Sequence, residues 1–206
     1  WEAHRTAKLK LLDMVFEETG QKLDPDILTI GFARRAATYK RADLIFTDIK
    51  RLLEIGAGKI QFIFSGKAHP HDEPGKDILQ KIHNISKELG TAMPVVFIEN
   101  YNMTPAKLIT SGVDLWLNSP VRPREASGTS GMKCVHNGIM NFSVLDGWWI
   151  EGCLEEHTGW AIGPEPGPND MRGYDESQDA EDLYRKLQIK ILPLYYNNRP
   201  RWIRMM

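Results

Sequence analysis

The chain has 206 residues, a hydrophobic fraction of 42%, a charged fraction of 26% and a formal net charge of −1. These values are ordinary for a globular protein, and the length suits one sizeable α/β domain. The balanced charge argues against nucleic acid or an anionic membrane as a partner. The two cysteines are too few for a disulfide scaffold, and neither a membrane helix nor a signal peptide is predicted, so we expect a cytoplasmic protein.

Short apolar segments alternate with amphipathic segments along most of the chain. Helices are predicted at 1–19, 40–55, 78–89, from Pro105, 132–140 and 179–192, and buried strands at 27–32, 60–64, 95–98, 113–117 and 142–145. This alternation predicts an α/β fold with a parallel sheet covered by helices on both faces. We expect a single domain over 1–206, with its core at 27–151, a C-terminal extension at 152–206, and a loop rich in proline and glycine at 163–173.

The loops that follow the predicted strands hold most of the unusual polar residues. They cover 33–39, 66–70, 100–102, 118–133 and 146–151. Because ligands of such sheets bind beyond the carboxyl ends of the strands, we expect these loops to share one site.

The most informative of these loops is Arg-Glu-Ala-Ser-Gly-Thr-Ser-Gly-Met-Lys at 124–133. Small residues from Ser127 to Gly131 leave backbone N–H groups open, and the helix predicted after them places these groups at a helix N-terminus, where anions bind. Lys133 follows at once. A phosphate cradle beside an amine suits pyridoxal 5'-phosphate, which needs backbone donors for its phosphate and a lysine for its aldehyde.

A second group of cations lies at the start of the helix predicted at 40–55. Cations at a helix N-terminus oppose the helix dipole, so we expect an anion beside Arg35 and Lys40. For Arg34 and Arg41 a solvent-facing position stays open as an equal alternative.

Several other residues have plain structural interpretations. Trp148 and Trp149 are expected in the core or an interface rather than against a sugar, and Asp146 is expected to cap a turn. His4 is expected at the surface. No metal-ligand spacing stands out, so no metal site is predicted.

Four segments carry a resemblance to a known family. They are Gly-Phe-Ala-Arg-Arg-Ala-Ala-Thr-Tyr-Lys-Arg at 31–41, Gly-Lys-Ala at 66–68, Phe-Ile-Glu-Asn-Tyr at 97–101 and Glu-Ala-Ser-Gly-Thr-Ser-Gly-Met-Lys at 125–133, with Asn-Gly at 137–138 and Leu-Asp-Gly at 145–147 in support. In this order they resemble the C-terminal, cofactor-carrying domain of the α-glucan (glycogen, starch and maltodextrin) phosphorylases. The resemblance implies a Rossmann-like domain that is one half of a two-domain glycosyltransferase (GT-B) architecture.

The activity implied is phosphorolysis of an α-1,4-glucan to glucose 1-phosphate, with retention at the anomeric carbon. By the same resemblance, Lys133 forms a Schiff base with pyridoxal 5'-phosphate, whose 5′-phosphate relays a proton to the substrate phosphate. A phosphate with a second pKa of about 6 suits this task at neutral pH.

The resemblance also assigns roles to individual residues. Arg35 and Lys40 match positions that offset phosphate charge, and Glu125 matches one that binds sugar hydroxyls. By this resemblance the residues expected to bind the cofactor are Lys133, Gly128, Thr129, Tyr101 and Arg35. Those expected to bind the substrate are Tyr39, Glu125, Ser127 and Gly128. Ser130-Gly131 departs from the Gly-Asn of the animal enzymes, but both residues are small, so we expect the cradle to survive.

Two other classes of protein stay open. One is a glucan synthase domain that uses a nucleotide sugar, to which a Schiff-base lysine is of no use. The other is a non-catalytic fragment, because in the family an N-terminal domain supplies glucan contacts and a histidine of the catalytic site. The first residue is Trp rather than Met, so the chain is either processed or cut from something longer, and we expect the latter. Because 206 residues cannot also hold the N-terminal domain, we expect the chain to be inactive alone. Its expected partners are glucan, inorganic phosphate and the N-terminal domain; a homo-oligomer stays open.

Overall fold

The computed structural model describes residues 1–167 and 176–206. Its helices are α1 (Glu2–Thr19), α2 (Ile49–Gly56), α3 (Glu73–Leu89), α4 (Met103–Gly112), α5 (Thr129–Val135), α6 (Trp149–Gly152), α7 (Glu176–Lys186), α8 (Leu192–Asn197) and α9 (Arg199–Met205). Its strands are β1 (Leu28–Ala33), β2 (Ile60–Ser65), β3 (Val95–Ile98), β4 (Leu115–Asn118), β5 (Met140–Val144) and β6 (Gly159–Ile162). Most of the proline- and glycine-rich stretch predicted at 163–173 lies outside the described residues.

The strands form one parallel sheet in the order β3-β2-β1-β4-β5-β6. This is the strand order of a Rossmann fold, and it confirms the α/β fold class predicted from the sequence. The order reverses between β1 and β4, which are adjacent although residues 34–114 separate them along the chain. Loops that leave these two strands at their carboxyl ends diverge and open a crevice.

Both faces of the sheet are buried, which explains why its strands read as continuous apolar runs. Phe62 and Phe64 of β2 belong to a core that also holds Trp160 and Trp202. Ile63, between them in sequence, points to the opposite face and packs in a second core with Trp116. Among the described residues, no helix is both long and apolar enough to cross a membrane.

The described structure corrects several element boundaries. The helix predicted at 40–55 begins only at Ile49, where Asp48 accepts the Arg51 N–H as an N-cap; the preceding residues form 3₁₀ turns at Thr38–Lys40 and Leu44–Phe46. The helix predicted at 132–140 lies at Thr129–Val135, because the chain turns at Gly138, whose φ is +73°.

The C-terminal part of the chain belongs to the core. The sequence did not predict β6, which has only four residues and pairs with β5 at the edge of the sheet. The last predicted helix is α7 followed by a π-helical turn at Leu187–Ile191 and by α8. Leu183 and Trp202 are fully buried, so the core extends beyond residues 27–151.

A buried charged cluster joins both ends of the chain to the amino-terminal edge of the sheet. Asp114, just before β4, accepts hydrogen bonds from Lys8 Nζ at 2.6 Å and from the Thr29 N–H at 2.7 Å, and its other oxygen lies 2.9 Å from His4 Nε2. The hydroxyl of Tyr195 lies 3.2 Å from the same carboxylate. His4 is therefore buried, and its predicted surface position is wrong.

Candidate functional site

The candidate site lies at the carboxyl ends of β1 and β4, where the strand order reverses. Arg34 is the first residue after β1, and Asn118 is the last residue of β4. The Arg34 guanidinium donates a hydrogen bond to Asn118 Oδ1 across this crevice. The predicted site residues at 34–40 and 118–133 therefore meet at the place where Rossmann-like sheets bind their ligands.

Two cations converge on one carboxylate oxygen in this crevice. Arg34 Nη2 donates to Glu125 Oε2 at 2.7 Å, and Lys40 Nζ donates to the same oxygen. All three side chains are less than 10% exposed. Burial lowers the pKa of Arg34, and the negative charge of Glu125 opposes that shift. The cluster carries a local net charge of +1, which favours an additional anion.

The solvent-facing alternative for Arg34 and Arg41 is wrong. Arg34 is tied to Asn118 and Glu125, and Arg41 is buried as well. The Arg41 guanidinium donates to the backbone carbonyls of Ser119 and Pro120 at 2.8 Å and forms a salt bridge with Asp179 at 2.5 Å. It thus braces the beginning of the loop that leads from β4 to Glu125. Arg34 follows the apolar strand β1 and Arg41 follows Lys40, and sequence spacing did not show which way either side chain points.

Tyr39 connects the buried cations with the surface. Its ring is half-buried, and Lys40 Nζ lies 4.5 Å from the ring centroid. Arg35, the residue assigned to phosphate, is exposed, with Nη2 3.5 Å from the Tyr39 hydroxyl. Burial would raise the pKa of Tyr39, but hydrogen bonding to Lys40 and Arg35 outweighs it and leaves the pKa below the usual value.

Tyr101 lies on the other side of Arg34. Its hydroxyl donates to the backbone carbonyl of Ala33, the last residue of β1, at 3.3 Å. Burial raises the pKa of Tyr101, and the positive charge of Arg34 opposes the rise. The hydroxyl therefore remains a neutral donor at physiological pH.

The glycine-rich loop begins α5, as the sequence predicted. Gly128 is the N-cap with a φ of +85°, a left-handed conformation that suits glycine, and the Gly131 N–H donates to the Gly128 carbonyl at 3.1 Å. Ser127 is half-buried and Thr129 is exposed. The Ser130 Oγ is buried and has no hydrogen-bond partner in the described part of the chain. The loop thus holds a hydroxyl and backbone groups with capacity to bind a ligand.

Lys133 is the fifth residue of α5 and is exposed. Within residues 1–167 and 176–206, its amine forms neither a hydrogen bond nor a salt bridge, so no polar bond joins it to Arg35, Lys40 or Glu125. Its neighbour Cys134 is buried, and burial raises the pKa of that thiol strongly. Cys134 therefore packs α5 against the rest of the protein, whereas Lys133 faces outward.

Three residues that shape the site lie in its predicted loops but were given no individual role in it. Asn118 holds Arg34, and its amide also donates to Ser143 Oγ at 3.0 Å. Asp146 caps its turn as expected, accepting the Gly147 N–H at 2.9 Å, and it also accepts the Glu125 N–H at 2.9 Å. Trp148 donates its backbone N–H to the Ser127 carbonyl at 2.9 Å. The sequence signal for these residues was their position in the loops predicted at 118–133 and 146–151.

The strand order and the polar loops at its reversal define a Rossmann-like α/β protein, consistent with one half of a GT-B architecture. A family model described as carbohydrate phosphorylase matches residues 1–159, and the chain belongs to that family.

Curated relatives agree with this assignment. The chain is similar to maltodextrin phosphorylase of Thermococcus litoralis, with 44% identity over 100% of the chain and 26% of the relative. It is similar to glycogen phosphorylase of Aquifex aeolicus, with 44% identity over 98% of the chain and 30% of the relative. Glycogen phosphorylase of Mycobacterium tuberculosis is 39% identical over 88% of the chain and 22% of the relative. The chain thus spans less than a third of the length of these relatives.

Proposed function

We propose that this chain is the cofactor-carrying part of an α-glucan phosphorylase, which converts an α-1,4-glucan and inorganic phosphate to glucose 1-phosphate with retention. The observation that carries the proposal is the convergence of Arg34 and Lys40 on Glu125 at the sheet's switch point, beside a glycine-rich loop. Family membership and the relatives' names support the choice of glucan and phosphate as substrates.

The residues present fit pyridoxal 5'-phosphate. The buried Ser130 Oγ and Arg34 Nε have no hydrogen-bond partner among the described residues, so the site retains donors for an anion. Gly128, Thr129, Tyr101 and Arg35 would hold the cofactor non-covalently, and the exposed Lys133 amine would hold it covalently. When bound, the group supplies a phosphate with a second pKa of about 6, which gives and takes a proton at neutral pH.

The cations of this chain would hold the substrate phosphate. Two phosphate dianions in contact repel each other, so nearby positive charge is needed to keep both in place. Arg35 is exposed beside Tyr39 and is free to turn toward a ligand, whereas Lys40 is fixed by its bond to Glu125. We assign Arg35 to substrate phosphate contact and Lys40 to the fixed electrostatic background.

Glu125 has one oxygen left for the sugar. Its Oε2 accepts both cations, while Oε1 makes no hydrogen bond within the described residues. A carboxylate oxygen has capacity for two hydrogen bonds, so Oε1 can accept sugar hydroxyls. Tyr39, Ser127 and Gly128 would complete the sugar contacts.

The remaining parts of the reaction require another domain. The chain spans 26% and 30% of the first two relatives, so most of their length lies outside the region it matches. We propose that an N-terminal domain closes the crevice, shields Lys133 from water and supplies the glucan contacts and a histidine. Appreciable release of glucose 1-phosphate from maltodextrin by the 206 residues alone would contradict this part of the proposal.

The cofactor assignment is tested by reduction with borohydride in the full-length protein. We expect absorbance typical of a lysine-bound pyridoxal, which reduction removes, and a pyridoxyl label on the peptide that contains Lys133. Lys133→Ala should abolish the label, whereas Lys107→Ala, at another exposed lysine, on α4, should leave it. A wild-type protein without the label would favour a nucleotide-sugar synthase or a non-catalytic role.

A further inference from the structure

Both the backbone and the side chain of Trp148 contact the glycine-rich loop. Its backbone N–H donates to the Ser127 carbonyl at 2.9 Å, and its indole is half-buried against Trp149, with ring centroids 5.1 Å apart. The proposed function does not use this side chain.

The pyrrole edge of the indole fills the space that loop side chains would otherwise take. A Cβ added to Gly128 would lie 3.3 Å from Trp148 Cδ1, and one added to Gly131 would lie 3.0 Å from Trp148 Nε1. The two glycines flank Thr129 and Ser130, so the indole supports the loop at both ends. Asn141 supports it as well, donating its amide to the Gly131 carbonyl at 3.2 Å.

The benzene edge of the same ring rests on Gly152. A Cβ there would overlap Trp148 Cζ3 and Cε3, and Trp148 supplies all three nearest atoms. Cζ3 and Cε3 lie on the edge of the indole opposite to Cδ1 and Nε1. The ring is therefore confined between Gly152 at the end of α6 and the loop glycines at the start of α5.

We propose that Trp148 is a positioning residue that fixes the backbone of the Ser127–Gly131 loop so that the Gly128 and Thr129 N–H groups point at the phosphate of the cofactor. This rests on the proposed function, in which that loop holds pyridoxal 5'-phosphate. Close packing transmits small displacements, so a shift of the indole moves the donors and weakens phosphate binding.

Gly152 offers a way to move the indole without touching the loop. Gly152→Ala adds one methyl group whose three nearest neighbours are all atoms of Trp148, and this pushes the ring toward Gly128 and Gly131. In a Trp148→Ala background the same methyl group has room. The effect of Gly152→Ala on the loop should therefore depend on Trp148.

The test uses the full-length protein and two readouts. Hydrogen exchange of the amides at 127–131 reports the loop itself, and equilibrium dialysis of the resolved protein with pyridoxal 5'-phosphate reports binding. We expect Trp148→Ala to accelerate the exchange and to raise the dissociation constant about tenfold, and Trp148→Phe to restore much of both. Gly152→Ala should raise the dissociation constant in the wild-type background and leave it unchanged in Trp148→Ala.

A control separates positioning from general loss of stability. Trp1→Ala removes another half-buried tryptophan, which lies 4.7 Å from the Arg199 guanidinium and outside the loop contacts. It should leave loop exchange and cofactor affinity unchanged.

Unchanged loop exchange in Trp148→Ala, or an equal effect of Gly152→Ala in both backgrounds, would overturn the positioning role and leave the proposed function intact. A wild-type protein that binds no pyridoxal 5'-phosphate would overturn the proposed function itself, and with it the role toward the cofactor.

Discussion

Arg34 Nη2 and Glu125 Oε2 are 2.7 Å apart, although the two residues are 91 positions apart in the chain. This pair joins the loop after β1 to the loop after β4, so it bridges the two sides of the crevice. Burying opposite charges together gives little net stability, but removing one partner leaves the other uncompensated. The two loops are therefore held together by opposite charges, and removing the charge of Arg34 or Glu125 should disturb the crevice.

Glu125→Gln should destabilise the protein in a way that phosphate reverses. The variant keeps the side-chain shape but leaves Arg34 and Lys40 without their counter-charge, so we expect a loss of about 1–3 kcal/mol in the free energy of unfolding. Added phosphate can replace the missing negative charge and should stabilise the variant more than the wild type. Chemical denaturation of the full-length protein with and without phosphate measures both effects.

The matched control is Glu88→Gln, at an exposed position on α3. It should change neither the stability nor its response to phosphate. If phosphate stabilises the Glu125 variant no more than the wild type, the crevice does not bind anions through these two cations.

Adjacent arginines should give opposite results. The Arg34 side chain is buried between Asn118 and Glu125. Arg35 is exposed, and within the described residues its side chain forms a hydrogen bond only with Tyr39. Arg34→Ala should lower the melting temperature. Arg35→Ala should leave the melting temperature unchanged and reduce kcat/KM for phosphate by about 10²–10³-fold in the full-length enzyme. Thermal melts and initial rates over a range of phosphate concentrations separate the two.

Wild-type phosphate kinetics in Arg35→Ala would remove this residue from the site. An unchanged melting temperature in Arg34→Ala would show that its buried contacts carry no stability.

The sequence predicted the fold better than it predicted the direction of single charged side chains. The strands β1 to β5 were found because both faces of the sheet are covered, which makes each strand a continuous apolar run. The strand β6 gave no such signal, since its residues, Gly-Trp-Ala-Ile, include glycine and alanine, whereas the equally short edge strand β3 is Val-Val-Phe-Ile. The sequence placed Ser127–Gly131 at a helix N-terminus because small residues are a local feature, and α5 begins within this stretch, at Thr129 rather than at Met132.

Long-range pairs were the limit. His4 and Arg41 look like surface residues in sequence because their partners, Asp114 and Asp179, are more than 100 positions away. A charged residue is buried only where the fold brings a partner to it, and spacing along the chain does not encode that. Glu125, the partner of Arg34, is also distant in the chain, so the sequence left open whether Arg34 faces solvent.

Asp114→Asn should destabilise the protein without changing the site. Asp114 lies just before the amino-terminal end of β4, whereas the crevice lies at the carboxyl ends of the strands. Its carboxylate binds the buried side chains of Lys8 and His4. Its loss leaves a buried ammonium without a counter-charge, which costs about 3–5 kcal/mol. Denaturation at pH 7 should show this loss, while Asp77→Asn, at an exposed position on α3, should show none. Cofactor affinity well below the melting temperature should stay at the wild-type value; a large change there would mean that the two edges are coupled.

The same carboxylate should make stability depend on acid pH in a defined window. Burial alone would raise the pKa of Asp114, but the positive charge of Lys8 and the hydrogen bond from His4 outweigh it and hold the pKa below its usual range. A carboxylate whose pKa is lower in the folded state binds fewer protons there than when unfolded, so its stabilising contribution is complete above the unfolded pKa of about 3.9 and disappears as the pH falls through the lower folded value. The contribution of the Asp114 charge to the difference in free energy of unfolding between the wild type and Asp114→Asn should therefore be complete at about pH 5 and shrink steadily below about pH 4. Urea denaturation at a series of pH values measures this difference, and other carboxylates cancel because both proteins contain them. A difference that grows on acidification would mean that Asp114 is protonated more easily in the folded protein than in the unfolded chain.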